Sequence, residues 1–254
     1  MKEKRIGIVG MGVVGSNLLK IFPEAVCYDK YKFPNNLTKD SVNETDFSFI
    51  CVPTPSDPSG KCLINEVEEV VDWLDARIII IKSTIPVGTT GELIRKTYKN
   101  ICFSPEFTGA TPSSHPENNF VILGGDKDIT TEVAQLYQEK FPGSFKIKQT
   151  DHRTAELVKY MENAYLACKV VFCNQFFRIA EQFGINYNEL RELWLLDSRI
   201  NPSHTFVFKD HPYYDSKCLN KDIPALYQFC KDNDYDATFI RNIIGRNEEF
   251  KDGG

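Results

Sequence analysis

The sequence predicts an α/β protein in which a doubly wound parallel sheet is followed by an all-helical domain built around one long helix. Short apolar segments alternate with helical patterns over the first 150 residues, as expected of parallel strands joined by helices. The stretch 151–183 then contains no strong helix breaker and stops before Gly184, which predicts a helix of about 30 residues. We therefore predict a first domain over residues 1–150 and a second over 151–254.

The first domain begins with a strand, a glycine turn, a helix and a second strand. Its segment 77–82 is apolar at nearly every position, which is typical of a strand covered on both faces. The strands are predicted at 5–9, 25–29, 47–52, 77–82, 101–104 and 120–123, with helices over 16–21 and around 66–74.

The second domain is predicted to be helical throughout. The middle of its long helix, 164–177, is apolar on most sides, so we expect it to be buried between other elements. Between the later helices lies an irregular stretch, 198–217, whose His204 and His211 we interpret as structural. Those later helices are predicted over 187–195 and 223–245.

Composition indicates a soluble globular protein of the cytoplasm. A net charge of −5 without a basic stripe argues against nucleic acid as a partner. The sequence shows neither a secretory leader nor an apolar run long enough to span a bilayer, so no membrane partner is expected. The eight cysteines form no Cys-x-x-Cys pair and no cluster with zinc spacing, which predicts reduced thiols and no metal site.

The turn after the first strand has the spacing of a dinucleotide-binding site. Gly10 permits a tight turn, Gly12 lets the backbone approach a pyrophosphate, and Gly15 lets the helix pack on the strand. Asp29 follows 19 residues after Gly10, where a carboxylate accepts hydrogen bonds from a ribose and disfavours a 2′-phosphate. The turn therefore predicts NAD rather than NADP, although a glycine turn without a ligand remains an alternative.

Four polar residues are candidates for chemistry on a substrate oxygen. Lys159 and Asn163 lie four apart on the long helix and share a face, although two residues on a solvated stripe would show the same spacing. Thr84 and Glu106 each follow a strand at the sheet edge where ligands gather, as a hydrogen-bond donor and a general base. The alternatives are a helix N-cap for Thr84 and a surface carboxylate for Glu106.

Cys218 is the candidate nucleophile among the eight cysteines. It lies between Lys217 and Lys221, and nearby cations raise the thiolate fraction of a thiol. Asp222 follows four residues later. A thiolate can hold an aldehyde as a thiohemiacetal, from which a second hydride transfer gives a thioester.

Seven motifs occur together along nearly the whole chain. They are Gly10-Met-Gly-Val-Val-Gly15, Cys51–Pro55, Ser83–Gly88, Ser104–Phe107, Ala155–Ala167, Asp197–Ile200 and Cys218–Asp222. In content and order they resemble the UDP-glucose/GDP-mannose 6-dehydrogenase family. That resemblance implies an N-terminal Rossmann-type domain that binds NAD and a helical central domain that forms a homodimer.

The resemblance also implies an activity, the oxidation of a nucleotide sugar's primary alcohol to a carboxylate with reduction of two NAD. By the motifs it matches, Cys218 resembles the family's nucleophile, Lys159 and Asn163 its oxyanion-stabilising pair, and Asp222 the partner of the catalytic water. Thr84 and Glu106 match residues around that water and in acid–base steps. The cofactor-binding residues implied are Gly10, Gly12, Val13, Val14, Gly15, Asp29, Val52, Pro53, Thr54, Ser83 and Thr84.

Three features depart from the family's pattern. The chain reads as a short form without the C-terminal domain that holds the nucleotide of the sugar. Asp215-Ser216 replaces a glycine pair before the cysteine, and Thr108-Gly-Ala110 replaces Arg-Glu-Gly. Two other functions therefore stay open: a β-hydroxyacid-dehydrogenase-like enzyme that needs no cysteine, and an NAD-binding protein that is non-catalytic or depends on a partner.

Overall fold

The structure is a computed structural model that describes residues 4–32, 38–107, 119–141, 143 and 145–253. The chain divides into two compact units. Unit 1 comprises residues 1–57 and 62–159, and unit 2 comprises 58–61 and 160–254. The division falls inside one helix, nine residues after the predicted boundary at 150; the predicted domain bounds themselves stay a prediction.

Unit 1 contains a seven-stranded sheet. In the order β2-β1-β3-β4-β5-β6-β7, all neighbouring strands are parallel except β5 and β6. The strands are β1 Ile6–Val9, β2 Val26–Tyr28, β3 Phe47–Ile50, β4 Ile78–Ile81, β5 Ile101–Phe103, β6 Phe120–Gly124 and β7 Lys146–Thr150. The predicted doubly wound parallel sheet is therefore confirmed, and the antiparallel β5–β6 pair within it was not predicted. Strand β7 was not predicted, because its sequence is mostly polar and its side chains are exposed or half-buried.

Helices cover both faces of this sheet, which confirms the doubly wound fold. Apolar side chains of α1 and α5 pack on one face, and those of α3 and α4 pack on the other. The helices of unit 1 are α1 Val13–Ile21, α2 Lys39–Asn43, α3 Asn65–Trp73, α4 Thr89–Thr97 and α5 Lys127–Lys140. Every residue of β4 is buried, as the apolar run predicted. Strand β1 pairs with β2 on one side and with β3 on the other, so the order in which strands are added across the sheet reverses between β1 and β3. Ligands of such sheets bind at this switch point.

Unit 2 is helical, as predicted. Helix α6 spans His152–Gln182 and is followed by Gly184 in the left-handed region, with a φ of +67°. The other helices are α7 Tyr187–Trp194, α8 Lys217–Asp232 and α9 Thr238–Lys251. The described residues contain no helix long and apolar enough to cross a membrane.

Two expectations for unit 2 are wrong. The single helix expected over 223–245 is two helices, because the chain turns between them at Asp234, whose φ is +55°. The segment 164–177 is buried on one face only: Ala164, Ala167 and Cys173 are buried, whereas Tyr165, Phe172 and Phe176 are exposed. Apolar residues on most sides of a helix therefore did not mean burial on most sides.

Candidate functional site

The glycine turn after β1 has the shape that close packing and a phosphate ligand require. Gly10 has a φ of +92°, and a Cβ there would lie 2.7 Å from the carbonyl oxygen of Cys51. A Cβ on Gly15 would lie 2.0 Å from the carbonyl oxygen of Gly10, whereas one on Gly12 would meet nothing within 4 Å. The first and third glycines are therefore fixed by packing, and the second borders open space at the start of α1, where backbone N–H groups bind phosphates.

Asp29 follows β2 and connects directly to this turn. Its Oδ2 accepts the N–H of Met11 at 2.6 Å, and its Oδ1 accepts those of Tyr31 and Lys32, each at 2.9 Å. Partial burial acts to raise the pKa of Asp29, but the three N–H donors and the Lys32 ammonium outweigh it and lower the pKa. Asp29 is thus an anion held beside the glycine turn, which suits a ribose hydroxyl.

The other predicted cofactor residues follow neighbouring strands of unit 1 at the same sheet edge. Ser83 is buried after β4, and its Oγ donates to the carbonyl oxygen of Val52 at 2.7 Å. This bond joins the segments that follow β3 and β4, with Pro53 exposed and Thr54 buried. At the start of α1, Val13 is exposed and Val14 is half-buried. The described residues of this edge therefore fit NAD.

The structure does not support the alternative that Thr84 is a helix N-cap. Helix α4 starts at Thr89, and its N-cap residue is Gly88, with a φ of +98° and no side chain. The cap comes instead from Glu156 of α6, whose carboxylate accepts the N–H of Gly88 at 2.6 Å and that of Thr90 at 2.9 Å. Glu156 is fully buried, and its role was not predicted from the sequence. The feature that could have indicated it is that α4 begins without a capping side chain of its own.

Glu106 has a buried cationic neighbour that sequence reasoning also missed. Its Oε2 lies 3.4 Å from the Nζ of Lys82, the residue after β4. The signal in the sequence was a lysine directly after a fully apolar strand. Lys159 of α6, itself largely buried, places its Nζ 5.1 Å from the ring centroid of Phe107, next to Glu106. Unit 1 therefore gathers Glu106, Lys82 and the Lys159 side chain in one region.

Unit 2 contains a second polar group, built from α6 and α8. The buried amide of Asn163 donates to Oδ2 of Asp222 at 2.7 Å, and Lys221 contacts the other carboxylate oxygen. Cys218 is exposed in the first turn of α8, one turn before Asp222, so the two share a face. Asn163 lies one turn after Lys159 on α6. The structure thus brings Cys218, Asp222 and Asn163 together.

The residues that replace the expected glycine pair have a local structural role. Ser216 is the N-cap of α8, and its Oγ accepts the N–H of Leu219 at 3.1 Å. Asp215 accepts the side-chain amide of Asn220 at 2.7 Å. These bonds begin the helix that carries Cys218. The third departure, Thr108-Gly-Ala110, lies outside the described residues. Within those residues no cluster of His, Cys, Asp or Glu side chains could hold a metal ion.

Family models match both halves of the chain. The NAD-binding domain of the UDP-glucose/GDP-mannose dehydrogenase family matches residues 16–140, and the central domain of the same family matches residues 153–249. The chain belongs to this family. The predicted resemblance and fold class are therefore confirmed, and so is NAD as the cofactor.

The individual proteins that this chain resembles include nucleotide-sugar dehydrogenases. UDP-glucose 6-dehydrogenase of Rickettsia bellii is 28% identical over 92% of this chain and 56% of its own length. UDP-N-acetyl-D-mannosamine dehydrogenase of Methanocaldococcus jannaschii is 34% identical over 70% of this chain and 44% of its own. The chain thus spans about half the length of these curated relatives. The structure of a UDP-glucose dehydrogenase from Pyrobaculum islandicum superposes with a TM-score of 0.84 at 21% identity, covering 97% of this chain and 68% of that one, which shows the shared fold.

Proposed function

We propose that this protein oxidises the primary alcohol of a nucleotide sugar to a carboxylate, with NAD as oxidant and Cys218 as covalent nucleophile. The observation that carries the proposal is the buried Asn163–Asp222 hydrogen bond one helical turn from the exposed Cys218. Burying a carboxylate is costly, and here the Asn163 amide and Lys221 compensate Asp222. The carboxylate borders a thiol in a chain with the family's NAD-binding domain.

Bound NAD would be held by the glycine turn and Asp29, and it supplies the acceptor for the two hydrides that leave the sugar carbon. The chain's own residues carry out the addition to the aldehyde and the cleavage of the thioester. After the alcohol has become an aldehyde, the Cys218 thiolate adds to its carbonyl carbon and gives a thiohemiacetal. Loss of the second hydride leaves a thioester, and water cleaves its C–S bond to release the carboxylate and the thiol. One alcohol and one water are consumed, two NAD are reduced, and three protons are released.

The polar residues stabilise charge and move protons in these steps. We assign Lys159 and Asn163 to the oxygen that becomes negatively charged when sulfur or water adds to the carbonyl. Asp222 orients or deprotonates the water that cleaves the thioester, and Thr84 donates a hydrogen bond to it. Glu106 serves as an acid–base group for the alcohol.

UDP-glucose is the substrate that the resemblance implies, and the relatives include enzymes named for UDP-glucose and for UDP-N-acetyl-D-mannosamine. A specific sugar is therefore left to experiment. The purified chain would be incubated with NAD and a panel of UDP-, GDP- and TDP-sugars while NADH is followed by absorbance and the sugar acid by mass spectrometry.

Two cysteine variants test the mechanism in that assay. Cys218→Ala is expected to abolish acid formation, since it removes the exposed thiol proposed to form the thioester. Cys230→Ala, which removes a half-buried cysteine on the same helix, should retain acid formation. Full acid production by Cys218→Ala would refute the covalent mechanism. One NADH per turnover, unaffected by Cys218→Ala, would instead favour a β-hydroxyacid-dehydrogenase-like reaction. NAD binding without turnover on any sugar would instead favour a non-catalytic or partner-dependent protein.

A further inference from the structure

Lys82 is a buried ammonium group that the proposed mechanism does not use. It follows β4 directly, and its backbone N–H donates to the carbonyl oxygen of Ile50 at 2.9 Å, so the main chain is fixed by the sheet. Only 4% of its side chain is exposed. A lysine charge in such a place is costly unless acceptors surround it, because burial disfavours the charged form.

Three oxygens from the segment after β5 surround this ammonium group. The Nζ of Lys82 lies 3.4 Å from the Oγ of Ser104, 3.4 Å from the carbonyl oxygen of Pro105 and 3.4 Å from Oε2 of Glu106. Glu106 keeps 21% of its side chain exposed. The pair is therefore asymmetric: the cation is enclosed by the protein, and the carboxylate reaches from it toward the surface.

The buried thiols and the buried phenol around this pair are neutral near pH 7. Burial raises the pKa of Cys51 and of Cys102 to about 12, and burial is also the main cause of the raised pKa of Tyr137. Burial acts to lower the pKa of Lys82 itself, yet that pKa is raised; because Tyr137 is neutral near pH 7, Glu106 is the anionic neighbour that stabilises the ammonium there. Lys159, over the ring of Phe107, is the other cation named in this region. Among these neighbours Glu106 is the anion that balances Lys82.

We propose that Lys82 is a positioning residue for Glu106: it holds the carboxylate in place and in its ionised form, so that Glu106 acts as a base on the substrate alcohol. The role of Glu106 rests on the proposed function, but the effect of Lys82 on its charge does not. A fixed, buried cation 3.4 Å from a carboxylate oxygen is screened far less than a surface pair.

The test is a pH titration of the Glu106 side chain by NMR. The chain would be labelled with glutamate carrying ¹³C at the carboxyl carbon, and the signal lost in Glu106→Gln identifies residue 106. In Lys82→Met that signal should titrate about one to three pH units higher than in wild type, as when a carboxylate loses an adjacent cation. Lys82→Arg, which keeps the charge, should restore most of the wild-type midpoint. An unchanged midpoint in folded Lys82→Met overturns the proposal.

A reciprocal measurement covers the case in which Lys82→Met does not fold. Glu106→Gln changes a partly exposed side chain, and its lysines can be labelled with ¹³C at Cε. If the two groups are coupled, the Lys82 signal titrates at lower pH in Glu106→Gln than in wild type. The same midpoint in both proteins contradicts the proposal.

Activity separates this inference from the proposed function. If the wild-type chain turns over a nucleotide sugar, Lys82→Met should lower kcat and move the acidic limb of the pH profile upward, with little change in the affinity for NAD. In the Glu106→Gln background the same substitution should have no further effect on kcat, and an equal effect there would contradict the assignment. If no sugar is turned over, the proposed function fails while the NMR titrations still decide the role of Lys82.

Discussion

Asp29 shows how a single carboxylate connects the sheet to the cofactor turn. It is predictable from the sequence, because its distance from Gly10 is fixed by one strand–helix–strand unit. Lys82 and Glu156 were not predictable, since their partners lie 24 and 68 residues away and only the folded chain brings them together. Local spacing thus predicted Asp29 beside the glycine turn, and missed buried residues whose partners are distant in the sequence.

We expect Asp29→Asn to weaken NAD binding by about tenfold, because an amide accepts weaker hydrogen bonds from ribose hydroxyls than a carboxylate does. The same change should reduce the preference for NAD over NADP, since the charge that repels a 2′-phosphate is lost. Titration calorimetry with both cofactors measures this. Equal NAD affinity in wild type and variant would show that Asp29 does not contact the ribose.

The lowered pKa of Asp29 also fixes the sign of its effect on stability. A carboxyl group whose pKa is lower in the folded chain stabilises the fold above its unfolded pKa and loses that effect as pH falls. The same lowered pKa keeps the Asp29 carboxyl ionised through neutral pH. The preference for NAD over NADP should therefore be constant there and be lost only in acid, where the carboxyl is protonated.

At the scale of elements, helix α6 fixes the start of α4 through Glu156. The first turns of α6 belong to unit 1 and pack closely on its sheet, since a Cβ on Gly124 would lie 2.5 Å from the Cβ of Ala155. The sequence predicted α6 because a long breaker-free stretch is an unambiguous signal. It did not predict the polar edge strand β7 or the turn between α8 and α9, because neither carries the apolar periodicity on which prediction depends.

Glu156→Gln should lower the free energy of unfolding by about 1–3 kcal/mol, since an amide cannot accept both backbone N–H groups and one is left unpaired. Urea unfolding measures this loss, with the exposed Glu181→Gln on the same helix as a control expected to change stability by less than about 0.5 kcal/mol. An equally small effect of both substitutions would show that the cap contributes little.

The same experiment has a pH dependence of known sign. Burial is the main cause of the raised pKa of Glu156, so the folded state binds this proton more tightly than the unfolded state. Stability from this group therefore falls as pH rises above the unfolded value near 4.5. The difference in free energy of unfolding between wild type and Glu156→Gln should decrease as pH increases from that value. An increase in this difference would contradict a raised pKa for Glu156.

At the scale of the whole molecule, unit 2 leaves an apolar face of α6 uncovered. Tyr165 is 61% exposed, and further apolar side chains follow it at helical spacing. They are Phe172, Phe176, Ile179 and Phe183. Contiguous exposed apolar surface of this kind is typical of interaction sites, and it supports the predicted homodimer through the helical domain.

The dimer is tested by sedimentation at micromolar concentration, where we expect twice the chain mass of 29.1 kDa. Phe176→Glu places a charge in the middle of the exposed face and should shift the protein toward monomer. Tyr98→Glu, which alters an exposed aromatic residue of unit 1, should leave the mass unchanged. A monomeric wild type would contradict the prediction.

The central claim is that the protein oxidises one sugar carbon twice, the second time as an adduct of Cys218, and the number of NADH formed per sugar consumed tests it most directly. Limiting amounts of the nucleotide sugar that turns over would be run to completion with excess NAD, and NADH and sugar acid would be counted together. We predict two NADH and one carboxylate per sugar for the wild type, and no carboxylate with at most one NADH per sugar for Cys218→Ala. One NADH per sugar, with no acid and no dependence on Cys218, would contradict the account.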